Sequence, residues 1–511
     1  MSASAFIVLL GLFGTLMVLM LDRMRPGFTL LSAAIIFMVT GVISPGELLE
    51  GFSSKEMITI AMLFLIAEGV RSSGSLYHLL KFVLPTRRGS VGSLLARVLP
   101  AVTAISMALN NTAVVVIFAP IIKSWAERLG LSATKFLIPL SYAAIMGGLC
   151  TLIGTSTNLV VNGLMVESGF RSLGMFEIGK VGLVIALVGI LYLVCFSALL
   201  LPDRRVAEED DSASEDEHRV EVILNSRFPG VGKSLGEFNF YRHYGARVIA
   251  LRRNGESYTK GIESYILTQG DTLTLVTDAD FTHTWRESSA FYIISGEEPQ
   301  PHPHTSRRRW LGIGMLLFMM LGASLGEGYA LSFNGVKLDM FFFAATVMVA
   351  MALTQLFPVK RYTKFVSWDV LVAIASAFAI SKAMTNSGIN TLVAEWILSM
   401  PQLFGLYGVL ALLYLITMLL TELITNNAAV AIAFPVALAL AERLGVDPMP
   451  FFIAICIAAS ASFSSPIGYQ TNLIVQGVGG YKFKDYLRIG IGLNIITLVI
   501  SVLLIPRIWS F

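Results

Sequence analysis

Charge is scarce in this sequence. Of its 511 residues only 14% are Asp, Glu, Lys or Arg, about half the usual share of a globular domain. The net charge of +3 is small and scattered, so no basic patch offers itself to nucleic acid. Cysteine is nearly absent. Cys150, Cys195 and Cys456 all lie in apolar segments and read as small core residues, which excludes a disulfide framework and a structural zinc site. The six histidines (His78, His218, His243, His283, His302, His304) avoid the polar motifs described below, and all but His78 fall in or beside one polar block. A histidine proton relay and a transition-metal site in the apolar part are therefore not expected. "HPH" at 302–304 is too short for a metal site. Nothing resembles a catalytic triad, and no enzyme activity is expected.

What fills the chain instead is hydrocarbon. Apolar residues make up 55% and the mean hydropathy is +0.73. Apolar stretches recur from end to end, each of the roughly 17–25 residues that cross a bilayer. The first, "AFIVLLGLFGTLMVLML", has neither a basic leader nor a small-residue cleavage site and reads as a retained span. The fold class expected is a polytopic α-helical membrane protein.

One block breaks the pattern, over residues 204–306. An acidic stretch, "EEDDSASEDE" (208–217), leads in as a solvated linker. "RVEVILNS", "RFPGVGKSLGEF", "ARVIALRRNGE" and "GDTLTLVTD" follow, β-branched runs separated by Gly and Asn-Gly turns, which predict a small α/β domain with a core at about 219–284. A Pro/His linker, "EEPQPHPHTSRRRW", returns to apolar sequence. "GVGKS" is not a P-loop, because Arg227 stands where the first glycine is required. This block resembles a TrkA-C (RCK-C) domain through "VEVIL", "PGVGKSLGEF", "YGARVIALRRNGE" and "GDTLTLV". The resemblance implies a cytoplasmic regulatory module that binds a small-molecule ligand or dimerises.

The flanking parts, 1–203 and 307–511, are copies of one another. "NNTAVVVIFAP" at 110–120 aligns with "TNNAAVAIAFP" at 425–435, so that Asn111 and Asn426 are 315 apart. "AERLG" at 126–130 returns at the same spacing, and "IGTSTNLVVNG" (153–163) returns 314 later as "IGYQTNLIVQG". Lys and Arg collect in cytoplasmic loops. Placing Arg23, Arg25, Lys81, Arg87, Arg88, Arg97, Lys123, Arg128, Lys135, Arg204, Arg205 and Arg307–Arg309 inside requires five spans in the first copy plus a re-entrant hairpin at about 98–122. The odd number of crossings inverts the second copy, with its hairpin at about 403–440 and both chain termini outside. This is the inverted-repeat plan of secondary transporters, whose sites lie near the midplane.

Asn110, Asn111 and Thr112 interrupt an otherwise apolar run. In hydrocarbon a broken helix is tolerated only where it lines protein or a wet cavity. Two broken hairpins meeting tip to tip turn exposed N–H ends toward an anion, and carbonyl and amide oxygens toward a hard cation. Asn and Thr that merely bond neighbouring helices are the plainer alternative, and duplication at symmetric positions argues against it. Glu422, four residues before Asn426, is a candidate coupling carboxylate that tunes cation affinity or carries a proton; otherwise it is a helix-end carboxylate facing outward. Glu68 and Lys382 hold equivalent positions 314 apart; symmetry could bring them together as a pair between the halves, and the favoured reading is that each marks the end of a span.

Both apolar halves resemble the divalent anion/sodium symporter family, the sodium/sulfate–dicarboxylate type, through the NNT and TNN signatures and the unwound "IGTSTN" and "IGYQTN" that follow them. The resemblance implies an elevator-like transport domain, a scaffold, a homodimer in the plasma (inner) membrane, sodium as coupling ion and no organic cofactor. By position it implies one sodium site of Ser106, Asn110, Asn111 and Gly154, and a second of Thr421, Thr425, Asn426 and Gly468. Asn111, Thr112, Thr155, Asn426 and Asn427 would face a small divalent anion. Asn427 and Tyr469 depart from the family's pattern at groups expected to contact substrate. Relatives bearing a TrkA-C block include sulfate carriers, which places sulfate or a similar oxyanion ahead of a dicarboxylate. The competing expectations are a cation/proton antiporter or oxyanion exporter of related architecture, a TrkA-C-gated cation channel with "GVGGY" (477–481) as its filter, and a sensor without flux.

Overall fold

Several helices begin where a hydroxyl or amide interrupts the apolar sequence. The computed structural model describes residues 2–21, 24–204, 218–225, 228–253, 256–277, 281, 285, 288, 290–293, 306–333, 335–399 and 405–511. The acidic stretch 208–217, most of the Pro/His linker, and Arg23, Arg205, Arg227, His283, His302 and His304 lie outside the described residues. Numbering only helices of nine residues or more, the first copy contains α1 (Ala3–Met20), α2 (Pro26–Val39), α3 (Pro45–Ser53), α4 (Lys55–Ser72), α5 (Ser75–Val83), α6 (Val91–Ser106), α7 (Asn111–Arg128), α8 (Leu137–Gly148), α9 (Ser156–Glu167) and α10 (Gly179–Leu200). The second contains α11 (Ser306–Gly328), α12 (Met340–Leu353), α13 (Trp368–Ser387), α14 (Ile389–Ser399), α15 (Gly405–Leu423), α16 (Asn426–Leu444), α17 (Met449–Ser460), α18 (Gln470–Gly479) and α19 (Phe483–Ile508). Ser44 opens α3 with a reciprocal bond to Glu47, and the Ser54, Ser90 and Asn110 side chains cap α4, α6 and α7. Such caps satisfy N–H groups that have no partner within the helix.

The spacing of the sequence repeat is the spacing of the helices. The starts of α2 and α12, α5 and α14, α6 and α15, and α9 and α18 are each 314 residues apart. The helices sort into two bundles. In one, α2 and α3 pack on α13, and α4 packs on α11 and α12. In the other, α6 packs on α8 and α10, α10 on α19, α15 on α17, and α7 and α8 on α18. The bundles meet where α13 and α14 cross α16 and where α4 crosses α9. Among the described residues, seven helices are long and apolar enough to span a membrane. Burial grades them: 72% of the apolar window of α16 is inside the protein against 17% for α1, whose Phe6, Leu10 and Phe13 face outward. Glu68 and Lys382 do not pair. Glu68 receives two bonds of 2.7 Å from Arg71, and Lys382 lies 3.7 Å from Glu50.

The described residues of the polar block form a small sheet with short helices. Five antiparallel strands run in the order β3 (Glu256–Tyr258), β2 (Arg247–Arg253), β4 (Thr272–Thr277), β1 (His218–Leu224), β5 (Phe291–Ile293). Successive side chains of a strand point to opposite faces. Val220, Val222 and Leu224 fill the block's own core with Phe228, Phe238 and Phe240. Ile223 turns the other way, into the core of the helical bundles, against Gly477 of α18. Beside it the Thr272 hydroxyl and Arg252 donate to the Gly477 carbonyl at 3.0 and 3.2 Å. Lys123 of α7 donates to Glu221 at 3.0 Å. The block is thus seated on the far ends of α7 and α18, two helices of the second bundle.

Burial opposes the charge on Glu221, but Lys123 and Arg252 beside it outweigh burial and hold its carboxyl below the usual range. A depressed folded value contributes stability at neutral pH that is lost only as pH falls through it. Docking is therefore expected to be the same at pH 8 and pH 5 and to weaken below about pH 4. Glu221→Gln is expected to weaken it at every pH. Limited proteolysis of the reconstituted protein checks both: the variant should be cut within 204–306 several-fold faster than the parent.

Candidate functional site

Each hairpin breaks at its asparagines, and the break builds a cluster of oxygens. Between α6 and α7 the Asn110 side chain accepts from Thr112 N at 2.9 Å and caps α7. That leaves Asn111 facing inward. One end of its amide lies 2.8 Å from Ser106 Oγ, 2.9 Å from the Ala144 carbonyl and 3.2 Å from the Gly154 carbonyl. The site is tight: a Cβ on Gly148 would stand 2.6 Å from the Asn111 amide, and one on Gly154 would stand 2.7 Å from Gly148 Cα. Only glycine fits at these two positions. The loop carrying Gly154 is tied down by Thr151, whose hydroxyl donates to the Met107 carbonyl at 2.5 Å and accepts from Gly154 N at 3.0 Å.

The second hairpin repeats this. One end of the Asn426 amide lies 2.8 Å from Thr421 Oγ1, 3.0 Å from the Gly468 carbonyl and 3.3 Å from the Ala459 carbonyl. Thr425 Oγ1, at the start of α16, is buried with no hydrogen-bond partner. Asn158 and Asn472, 314 apart, brace the two loops alike. Asn158 Nδ2 donates to the Gly148 and Thr151 carbonyls at 3.2 and 2.9 Å, and Asn472 Nδ2 to the Ser462 and Ser465 carbonyls at 3.0 and 3.1 Å. The Glu422 carboxylate adds a brace of its own. It accepts from Phe463 N at 3.0 Å, Ser464 N at 2.9 Å, Ser462 Oγ at 3.1 Å and Asn494 Nδ2 at 2.8 Å. It faces the loop of the second cluster rather than the exterior.

An amide end surrounded by oxygens has two stable forms. Turned nitrogen-inward it donates to them; turned oxygen-inward it opposes carbonyl oxygens with no proton between, an environment that suits a hard cation. Which end faces inward follows from the partners and not from the positions of the heavy atoms. Helix C-terminal carbonyls and unwound backbone are the usual donors of such sites in transporters.

Four helix starts meet between the clusters. The Tyr469 hydroxyl, just before α18, lies 2.7 Å from the outer end of Asn111 at the start of α7, and 3.1 Å from Thr155 Oγ1, just before α9. Thr112 Oγ1 lies 3.5 Å from Gln470 Oε1. Ser156 Oγ lies 3.5 Å from Asn427 Oδ1 at the start of α16. Each first copy's loop thus faces the second copy's hairpin, and the reverse. Unpaired N–H groups and the helix dipole make each start attractive to negative charge.

Of the residues expected, Ser106, Asn111 and Gly154 come together, as do Thr421, Asn426 and Gly468. Thr112, Thr155 and Asn427 reach the central region. Asn110 stands apart, its side chain spent as a cap and lining an apolar cavity with Leu63, Ile153 and Leu316. The Ala144 and Ala459 carbonyls escaped notice because backbone oxygen leaves no mark in a sequence. Repeat spacing alone could have found them, since both lie at the end of an apolar helix 315 apart. "GVGGY" is no filter. Residues 477–479 are the last turn of α18 and Gly480 is its left-handed cap.

The family described as citrate transporter (CitMHS) matches residues 16–438 and 409–511. The chain belongs to the citrate transporter family. The curated relatives of this family member include an uncharacterized transporter of Synechocystis, 28% identical over 94% of this chain and 93% of its own length. A putative sulfur deprivation response regulator of Chlamydomonas reinhardtii is 27% identical over 93% and 96%. The sodium/sulfate cotransporter 1 of the same alga is 27% identical over 62% of this chain and 35% of its own length. This member of the citrate transporter family is a multi-pass membrane protein and a secondary transporter.

The close approach at Gly468 makes it a sharp probe. A Cβ there would stand 2.3 Å from the Thr421 carbonyl and 2.2 Å from Ser462 Oγ, and the backbone carbonyl cannot yield without spreading the second cluster. Gly468→Ala is expected to cut transport by about tenfold or more, as overpacking costs ~1–3 kcal/mol. Gly314→Ala, where a Cβ meets nothing within 4 Å, is expected to leave transport unchanged. Initial uptake rates at matched protein density in vesicles check this.

Proposed function

We propose that the protein is a sodium-coupled symporter of a small divalent anion, with sulfate or a similar oxyanion placed ahead of a dicarboxylate. The observation that carries this reading is the pair of matching oxygen clusters, one about Asn111 and one about Asn426, flanking four helix starts. Cations held beside an anion offset its charge, so neutral amides and hydroxyls suffice where a fixed Arg would otherwise be needed. Relatives named as sodium/sulfate cotransporters support both sodium and sulfate. The family's description points to citrate instead, and Tyr469 and Asn427 at the centre favour the more compact oxyanion.

In this reading Ser106, Asn111, Ala144 and Gly154 hold one sodium ion, and Thr421, Thr425, Asn426, Ala459 and Gly468 the other, with Asn110 shaping the first hairpin tip. Thr112, Thr155, Asn427 and the outer faces of Asn111 and Asn426 receive the anion. Glu422 supplies negative charge beside the second sodium ion, where the first copy has Met107. The two copies are inverted in the plasma membrane of a homodimer. The second bundle moves as an elevator against the first, carrying the cytoplasmic TrkA-C-like block seated on α7 and α18.

Uptake of radiolabelled sulfate and succinate into proteoliposomes, with and without an inward sodium gradient, tests this. Sodium-dependent accumulation of one of them is expected. Asn111→Ala and Asn426→Ala are each expected to reduce it at least a hundredfold with membrane insertion intact. Flux that ignores sodium, or near-normal flux in both variants, contradicts the reading.

A further inference from the structure

The two clusters are alike inward but not outward. The outer end of Asn111 touches the Tyr469 hydroxyl at 2.7 Å. Thr155 stands at Tyr469's place in the first copy, 314 residues earlier, and its short side chain bonds Thr157 and Tyr469 itself, at 3.3 and 3.1 Å. Among the described residues no such link leaves the outer end of Asn426.

The phenol has one proton, and the amide decides where it goes. With no cation in the first cluster, the Asn111 nitrogen faces inward and donates to Ser106 Oγ and the Ala144 and Gly154 carbonyls. Its oxygen then faces outward and accepts the Tyr469 proton. With a cation present, the amide oxygen must face inward as a ligand. The nitrogen then faces outward and donates to the phenol oxygen, and the phenol proton is released from Asn111, with Thr155 Oγ1 at 3.1 Å as its remaining neighbour. Both forms use the same heavy-atom positions, so the change needs a rotation of one amide and no movement of helices.

Resting on the symport reading above, we infer that Tyr469 transmits cation occupancy from the Asn111 cluster to the anion: sodium turns the amide, and the released phenol O–H donates to the anion between the helix starts. Tyr469 is 8% exposed, so water offers little competition for that proton. A hydrogen bond to a charged group in such surroundings corresponds to about ten- to hundredfold in affinity. The first sodium ion thus raises anion affinity through the Tyr469 hydroxyl, a relay for which the second cluster has no counterpart among the described residues.

Tyr469→Phe removes the hydroxyl and keeps the ring. The experiment measures equilibrium binding of the anion that uptake identifies, sulfate or succinate, to the purified full-length protein at sodium concentrations from below millimolar to saturating. Calorimetric sodium titration without anion runs alongside. Expected for the variant is sodium binding within about twofold of the parent, anion affinity near the parent's at the lowest sodium, and at least tenfold weaker affinity at saturating sodium. The gain in affinity conferred by sodium is thereby flattened. A loss equal at all sodium concentrations would make Tyr469 a plain contact and overturn the inference, as would an undiminished sodium gain or a sodium affinity lost along with the anion's. A parent protein whose anion affinity ignores sodium would instead sink the symport reading and this inference together.

Discussion

Everything in this protein follows from a rule about backbone in hydrocarbon: an N–H or C=O away from water must find a partner. The rule makes the two apolar halves mostly helical and makes each interruption costly. The interruptions that persist come in symmetric pairs, at 107–110 and 424–425 between helices and at the loops before α9 and α18. Each is repaired locally. Asn110 caps, Thr151 bridges Met107 to Gly154, and Asn158 and Asn472 each tie down two carbonyls. On the proposed reading, repair by the amide nitrogen and occupation by a cation are, around Asn111 and Asn426, exchangeable solutions to the same shortage of donors.

On that reading, the exchange accounts for the small charge of the proposed site. A permanent Arg would bind the anion equally well with or without the coupling ion, and would weaken the dependence of one on the other. Amides and hydroxyls are neutral and reversible, so the attraction for an anion changes with what the clusters hold. Glu422 is the exception, and its four donors show it working on the loop that carries Gly468. It has no counterpart in the first copy, where Met107 uses its main-chain carbonyl for the matching task.

Much of this was legible beforehand because duplication leaves two records of one constraint. The spacing of 314 or 315 pointed to two matching helix breaks, and the asparagines marked them. The helices run beyond the expected limits at three of four ends, spanning 91–128 rather than 98–122 and ending at 444 rather than 440, because polar residues at a helix's outer end look like loop in a hydropathy pattern; the fourth end, at 405, falls just inside the expected 403. The β-branched runs gave the sheet, though not its strand order, which depends on contacts between distant segments. The Ala144 and Ala459 carbonyls left no signal beyond the repeat spacing, and the seat of the block on α7 and α18 left none. Asn110 looked equivalent to Asn111, and only the cap geometry separates them.

The most direct test of two cation clusters serving one anion is the coupling ratio. In proteoliposomes with a fixed anion gradient, the opposing sodium gradient that stops net flux gives the number of sodium ions moved per anion. The account predicts at least two. A ratio of one, or a null point that follows the proton gradient instead, would contradict it.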